Sequence, residues 1–427
     1  MLKTVLNAFS VPDIRRKIFF TMAILALYRL GAYIPAPGVD VDTVKEIEQN
    51  FKGSNILGFL NLFSGGSLSR LSLFALGIMP YITASIILQL LTVVVPSLER
   101  LQKEGEVGQQ KITQYTRYLT VGLAFAQSLG YVFLFRSFQN QAGTSVVGEL
   151  TFGKTFLIVI CLTAGCTLLM WLGELITQRG IGNGISLMIF ASIAASIPVG
   201  IQKWWTNPDQ VFVVMMPFVA LAVIVAIVFV QEGQRRIPVQ YAKRVVGRRM
   251  TSGGSTYLPL RVNMAGVIPV IFAASIMAFP PTIGQLVPSG PAHDFAAWLN
   301  PNGWPFILGE AVLIFAFTFF YVAVIFNSIE QADNLKKYGG FIPGVRPGRP
   351  TAQYLESVLV RLTVAGGLFL AAVAVAPSLF IKYAGFSQAT GRALGGTSVL
   401  IIVGVAIDTM RQIESQLSMR SYKGFLR

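Results

Sequence analysis

Apolar residues run through this chain in long blocks, and polar positions are gathered between them. Seven stretches carry no charged side chain over a length suited to a buried or lipid-facing helix: 71–98, 118–135, 155–173, 180–202, 210–231, 311–329 and 362–381. An eighth, 262–293, holds only His293 at its end. Two more are interrupted near one end, 18–36 by Arg29 and 393–413 by Asp408 and Arg411. A helix needs about 20 apolar residues to cross a ~30 Å hydrocarbon core. The pattern predicts ten transmembrane helices, with 262–293 read as one helix followed by an irregular loop because of Pro280, Pro281 and Pro288.

A phrase inside the second block recurs in the seventh. GIMPYITASI, from Gly77, returns as GVIPVIFAAS, from Gly266, with Gly77/Gly266, Pro80/Pro269, Ile82/Ile271 and Ala84/Ala273 in register. The second and seventh spans cross in opposite senses. The halves 1–205 and 206–427 are therefore expected to be inverted repeats of five spans each, related by a two-fold axis in the membrane plane, an arrangement many transporters use. Pro80 and Pro269 are expected to kink their helices.

Charge orients the bundle. With both termini cytoplasmic, the inner face holds 25 Lys and Arg against 11 Asp and Glu, a net +14; the outer face holds 9 against 8, a net +1. This Lys/Arg asymmetry sets topology and accounts for much of the overall +15 without nucleic acid. Arg15, Arg16 and Lys17 precede the first span with no small-residue cleavage pattern after it, so that span reads as retained. Cys161 and Cys166, within one span, read as packing residues.

Catalytic chemistry is sparse. There is one histidine, and no zinc-protease, nucleophile-elbow or phosphate-loop motif occurs. Glu174 and Asp408 fall at inner span ends, Glu310 at an outer end and Arg29 in the outer half of the first span, where anchoring is the expected role. An ion-coupled transporter would place carboxylates near mid-membrane, and none is there. At mid-depth isoleucine recurs instead: Ile82 and Ile86, Ile185 and Ile189, each pair four apart on one helix face, with Ile271 and Ile401. On their own such residues pack or meet lipid.

Before the second span, Asn61–Arg70 is too polar and glycine-rich to continue a lipid-facing helix; it reads as an outer loop or as backbone lining a wet cavity. Two inner loops are long. Residues 232–261 carry a strand-like alternation with seven of the basic residues, and 330–361 carry GGFIPGVRPGRP around Arg346. Arginine's planar donors suit phosphate or carboxylate, so both tips read as docking sites for a large anionic partner.

Several stretches resemble the SecY/Sec61-alpha family of protein-conducting channel subunits, over nearly the whole chain: YRLGAYIPAPGVD (28–40), FSGGSLSRLSLFALGIMPYITASI (63–86), KITQYTRYLT (111–120), RGIGNGIS (179–186), GQRRIPVQYAKR (233–244), LPLRVNMAGVIP (258–269), GGFIPGVRPG (339–348) and GGTSVLI (395–401). The resemblance implies an all-α hourglass channel between the halves, without cofactor or catalytic residue. It implies a pore ring of Ile82, Ile86, Ile185, Ile189, Ile271 and Ile401. It implies a plug, about 58–72, centred on Phe63, Ser64, Gly65, Gly66, Ser67, Leu68, Ser69 and Arg70. Spans 2, 3, 7 and 8 would form a lateral gate, with Pro80, Gln89, Thr92, Pro269 and Phe279. Lys243, Arg244, Arg248, Arg249 and Arg346 would receive the ribosome, including its RNA, or the SecA ATPase. SecE and SecG would be partner subunits, and signal peptides, nascent chains and membrane lipids would be ligands; DNA would not. The location implied is the cytoplasmic membrane. A small-solute transporter with an inverted repeat is the alternative reading.

Overall fold

A computed structural model describes residues 9–39, 61, 63–137, 151–206, 210–241, 244–246, 249–251, 255–286, 290–299, 303–384 and 396–424. Each of the ten apolar stretches carries a helix. The first half contains α1 (Pro12–Gly31), α2 (Met79–Val94), α3 (Pro96–Lys103), α4 (Glu106–Ser137), α5 (Phe152–Arg179), α6 (Gly184–Ala194) and α7 (Ile197–Trp205). The second contains α8 (Gln210–Glu232), α9 (Ile268–Leu286), α10 (Pro291–Trp298), α11 (Trp304–Ile325), α12 (Ser328–Lys337), α13 (Arg349–Ala384) and α14 (Gly396–Gly424). Among the described residues, six helical stretches are long and apolar enough to cross a membrane unaided: Phe152–Arg179, Gly184–Gln202, Val213–Glu232, Trp304–Lys337, Arg349–Ala376 and Gly396–Met419. Taken together as one broken span, the bent pair α2–α3 brings the number to seven.

The recurring phrase has one backbone geometry in both places. Gly77 has φ +58° and Gly266 φ +63°, a left-handed conformation that costs residues with a Cβ about 1–2 kcal/mol. Each glycine ends a turn, and a helix begins two residues later. The Ile82 amide donates to Ile78 O at 3.2 Å, and the Ile271 amide to Val267 O at 3.2 Å. Pro80 and Pro269 are the second residues of their helices. There the missing N–H is one that has no intrahelical acceptor anyway. The prolines therefore start α2 and α9; the expected kink is absent because the glycine turn fixes where each helix begins.

Sharp bends lie elsewhere. α2 meets α3 at 99°, where Val95, forced out of helical geometry by the following Pro96, takes φ −99° and ψ 111°. The expected loop after the seventh span is also corrected. α9 continues through Pro280 and Pro281 to Leu286 and packs on α10 and α11.

Outside the bundle, β1 (Gln234–Tyr241), β2 (Arg244–Val246), β3 (Arg249–Thr251) and β4 (Ser255–Arg261) form in residues 232–261, and β5 (Gly340–Phe341) in 330–361. β1 lies between β4 and β5, antiparallel to both, with Ile237 opposite Leu258 and Gln240 opposite Phe341. The sheet thus joins two loops far apart in sequence. Its inward positions, Ile237, Val239 and Leu260, pack with Ile342, Leu355 and Leu359 in one apolar cluster.

Candidate functional site

The centre of the bundle is a single apolar cluster fed by helices from both halves. α2 contributes Ile82 and Ile86, α6 contributes Ile189, α9 contributes Ile271 and α14 contributes Ile401, all at most 4% exposed. Ile185 is partly buried and packs against the same cluster. All six isoleucines singled out from the sequence therefore belong to or border one apolar cluster. The helices that carry them touch: α2 packs on α9, and α14 packs on both α6 and α9. Across the α2–α9 contact, Ser275 Oγ lies 3.9 Å from Met79 Sδ while it donates to its own helix at Ile271 O, 2.7 Å.

On the side of the cluster where α2 begins, 64–78 folds inward as consecutive turns. Phe63 and Phe74 join the central cluster, and Ser64, Ser67, Leu68 and Ser69 are buried. Gly65, Gly66 and Arg70 are half-buried. The segment satisfies much of its own polar backbone. Asn61 O accepts from the Gly66 amide at 2.9 Å, Asn61 Oδ1 accepts from the Ser69 amide at 3.0 Å, and Ser64 Oγ accepts from the Leu68 amide at 3.1 Å. Such local bonding suits a non-helical segment buried in protein.

Three contacts hold this segment to the first helix and its exit. Arg29 Nη1 donates to Gly65 O at 2.9 Å, and the Tyr28 hydroxyl reaches Ser64 O at 3.3 Å and Ser192 Oγ on α6. The Arg70 guanidinium stacks over the Tyr33 ring at 4.4 Å. The chain after α1 also pairs with it: the Leu73 amide donates to Ile34 O at 2.8 Å and the Ala36 amide to Leu71 O at 2.9 Å. The intramembrane position of Arg29 flagged that residue in the sequence. Tyr28, Ser192 and the 34–36 strap carry no comparable signal.

On the opposite side of the cluster lies a cavity of about 360 Å³ with a mixed lining, in which Asn183, Ser186, Asn263, Asp408 and Arg411 face Val267, Ile268 and Val405. Arg411 binds its walls together, donating to Gln231 O at 2.7 Å, with Glu232 at 3.1 Å and Asp408 at 4.0 Å. Burial, with Arg411 alongside, pulls the Arg261 guanidinium below its ordinary value. Glu174 anchors two helices rather than the interface: both its oxygens accept from Arg117, at 2.9 and 2.6 Å. Glu310 is only 5% exposed and does not reach the surface, contrary to the anchoring role expected of it. It points into the α11 packing face, with Phe306, Ile307 and Ile314 buried on the same helix.

Of the gate residues, Pro80 and Pro269 are buried in the first turns of α2 and α9. Thr92 is 5% exposed and its hydroxyl donates to Gln89 O at 2.7 Å. Phe279 lies in α9, but its side chain is outside the described residues. Of the docking residues, Arg346 is exposed on the turn after β5, and its carbonyl accepts from Thr351 Oγ1 at 2.9 Å. Arg244 and Arg249 sit in the small β2–β3 hairpin, without described side chains, and Lys243 and Arg248 lie outside the described residues.

An apolar centre, a folded-in segment on one side and a cavity on the other are the features of a polytopic helical membrane channel. The SecY family pattern matches residues 72–410. Relatives named protein translocase subunit SecY include one from Streptomyces coelicolor, 50% identical over all of both chains. Another, from Mycobacterium tuberculosis, is 48% identical over all of both chains. Among solved structures, one described as a protein conducting channel superposes with a TM-score of 0.61 at 20% identity, covering 93% of this chain and 91% of that one. One describing the SecY plug domain gives 0.63 at 19%, with 93% and 91% covered. The chain belongs to the SecY family, the channel subunits of the protein translocase. Nothing in these likenesses supports a small-solute transporter.

Proposed function

We propose that unfolded polypeptides cross this protein through the isoleucine cluster and that apolar segments leave it sideways between α2 and α9. The observation that carries this reading is the meeting of Ile82, Ile86, Ile185, Ile189, Ile271 and Ile401 in one cluster built from both halves. A ring of branched apolar side chains excludes water and ions by dewetting, and it offers a passing chain no hydrogen bond or charge that would retain it. Residues from about 58 to 72 act as the plug, of which 58–60 and 62 lie outside the described residues; the halves 1–205 and 206–427 act as the two jaws, and α2, α4, α9 and α11 as the gate.

The driving force comes from a partner. The loops joined by the β4-β1-β5 sheet, with exposed Arg346, receive the ribosome or the SecA motor on the cytoplasmic side. A solved structure matching this fold is described as Sec61 in a canine ribosome-channel complex (TM-score 0.60, 19% identity, covering 93% of this chain and 91% of that one). SecE and SecG complete the complex in the cytoplasmic membrane, and both termini face the cytoplasm. Photo-crosslinkers at Ile82 and Ile271 test the reading. Both are expected to capture one stalled precursor, and absence of both adducts in an engaged complex overturns it.

A further inference from the structure

The recurring phrase extends further in space than in sequence. Leu71 and Leu260 stand at the same distance before Gly77 and Gly266, and both are fully buried. Leu71 clusters with Ile158 and Leu162 of α5, and Leu260 with Leu355 and Leu359 of α13. At the next position, Ser72 forms an antiparallel bridge with Pro35 on the chain leaving α1, and Arg261 pairs antiparallel with Gln234 on the chain leaving α8. One step further, the Leu73 amide donates to Ile34 O at 2.8 Å and the Val262 amide to Gly233 O at 3.0 Å. The carbonyls of these two residues also have matching neighbours. A Cβ added to Gly165 in α5 would collide with Leu73 O. One added to Gly366 in α13 would stand 2.7 Å from Val262 O, closer than real Cβ atoms come.

A glycine lets two backbones approach where any other side chain would hold them apart, and its Cα–H then faces the carbonyl as a weak donor. Leu73 and Val262 are each clamped in this way, by a strap on the amide side and a bare helix face on the carbonyl side. Beyond the clamp come the left-handed glycine, the start of α2 or α9, and then Ile82 or Ile271 at the same distance along the chain. We propose that Gly165 and Gly366 are positioning residues of the channel. They seat Leu73 and Val262, and through them fix where α2 and α9 begin and the depth at which Ile82 and Ile271 close the pore. α5 and α13 are the fixed posts, and the two gate helices turn about Gly77 and Gly266 while the seats stay in place. The proposal rests on the channel reading above and adds to it the points against which the two walls move.

The test uses the full complex, purified intact and reconstituted idle in lipid vesicles, with halide entry as the readout. Gly165→Ala and Gly366→Ala should each raise the leak at least fivefold over the unaltered complex. Gly153→Ala in α5, where a Cβ meets open space, and Gly367→Ala in α13, where it meets only the side chains of Phe315 and Thr318, should stay within twofold. Alanine favours a helix at all four sites, so the leak separates position from helix stability. Intact Gly165 and Gly366 variants that leak no more than these controls overturn the proposal, and so does a leak from one of the two alone. A second measurement needs no variant: residue-resolved hydrogen exchange on the unaltered complex, idle and with a stalled precursor. The Leu73 and Val262 amides should keep their protection on engagement, and loss at either one overturns the seats. Crosslinks at Ile82 and Ile271 in the same stalled complex report on the pore reading separately. Seats that hold without those crosslinks support the seats and count against the pore reading instead.

Discussion

Arg29 Nη1 donates to the carbonyl oxygen of Gly65 at 2.9 Å, tying the first helix to the buried turns that precede α2. A hydrogen bond from a charged donor contributes about 1.5–3 kcal/mol. Since Arg29 is half-exposed, the lower end applies. Arg29→Met is expected to raise the ion conductance of the reconstituted, idle complex several-fold, with Arg29→Lys intermediate. Single-channel recording in planar bilayers measures it, and unchanged conductance removes the latch role.

Gly77 and Gly266 share a left-handed φ, and an added Cβ at either position would meet nothing closer than 3.4 Å. Substitution there is a backbone test with little steric confusion. Gly77→Ala and Gly266→Ala should each destabilise the purified complex by about 1–2 kcal/mol. Asparagine, which tolerates this conformation, should cost less at both sites. Thermal unfolding in detergent reads the ranking; a large effect at one glycine and none at the other would show that the two turns are not equivalent.

Ile82→Gly combined with Ile271→Gly removes branched side chains from two sides of the central cluster. Ion leak through the idle complex should rise at least tenfold, because dewetting depends on a continuous apolar girdle. Fluorescence quenching by halide entry into vesicles measures the leak. Single substitutions should give smaller effects, since the remaining isoleucines still crowd the centre.

Glu174→Gln breaks a two-oxygen contact with Arg117 between α4 and α5. Arg117 is about 43% exposed, so the partner left behind regains water and the loss should stay near 1 kcal/mol. The double variant with Arg117→Gln should be no less stable than either single one. A thermodynamic cycle from denaturation midpoints tests this, and additive losses would refute the pairing.

Arg346→Glu should weaken binding of the motor or ribosome at least tenfold at physiological salt and leave membrane insertion and thermal stability unchanged. The residue is exposed, and among the described residues its hydrogen bond is made through the backbone carbonyl, which accepts from Thr351. Sedimentation of vesicles with the partner provides the measurement.

The helical bundle was legible in the sequence because each span needs its own unbroken apolar stretch, whatever its neighbours do. The central cluster was partly legible. Pairs such as Ile82/Ile86 show a shared helix face, but meeting Ile401 depends on how α14 packs, which only the family likeness supplied. Where α2 and α9 begin was not legible, since Pro80 and Pro269 read as kinks unless the φ of the preceding glycines is known. The contact between Tyr28 and Ser192, and the pairing of β1 with β5, join residues with no local signature. Glu310 misled for a related reason: its place at a span end implied water, and the packing of α11 took it inside.

β1 is bonded to strands on both sides, one from the loop that links α8 to α9 and one from the loop that links α12 to α13. Mechanically, the two loops are one lever. A force applied at either tip is divided among the helices that both loops connect, because neither loop can shift without straining the strand it shares with the other.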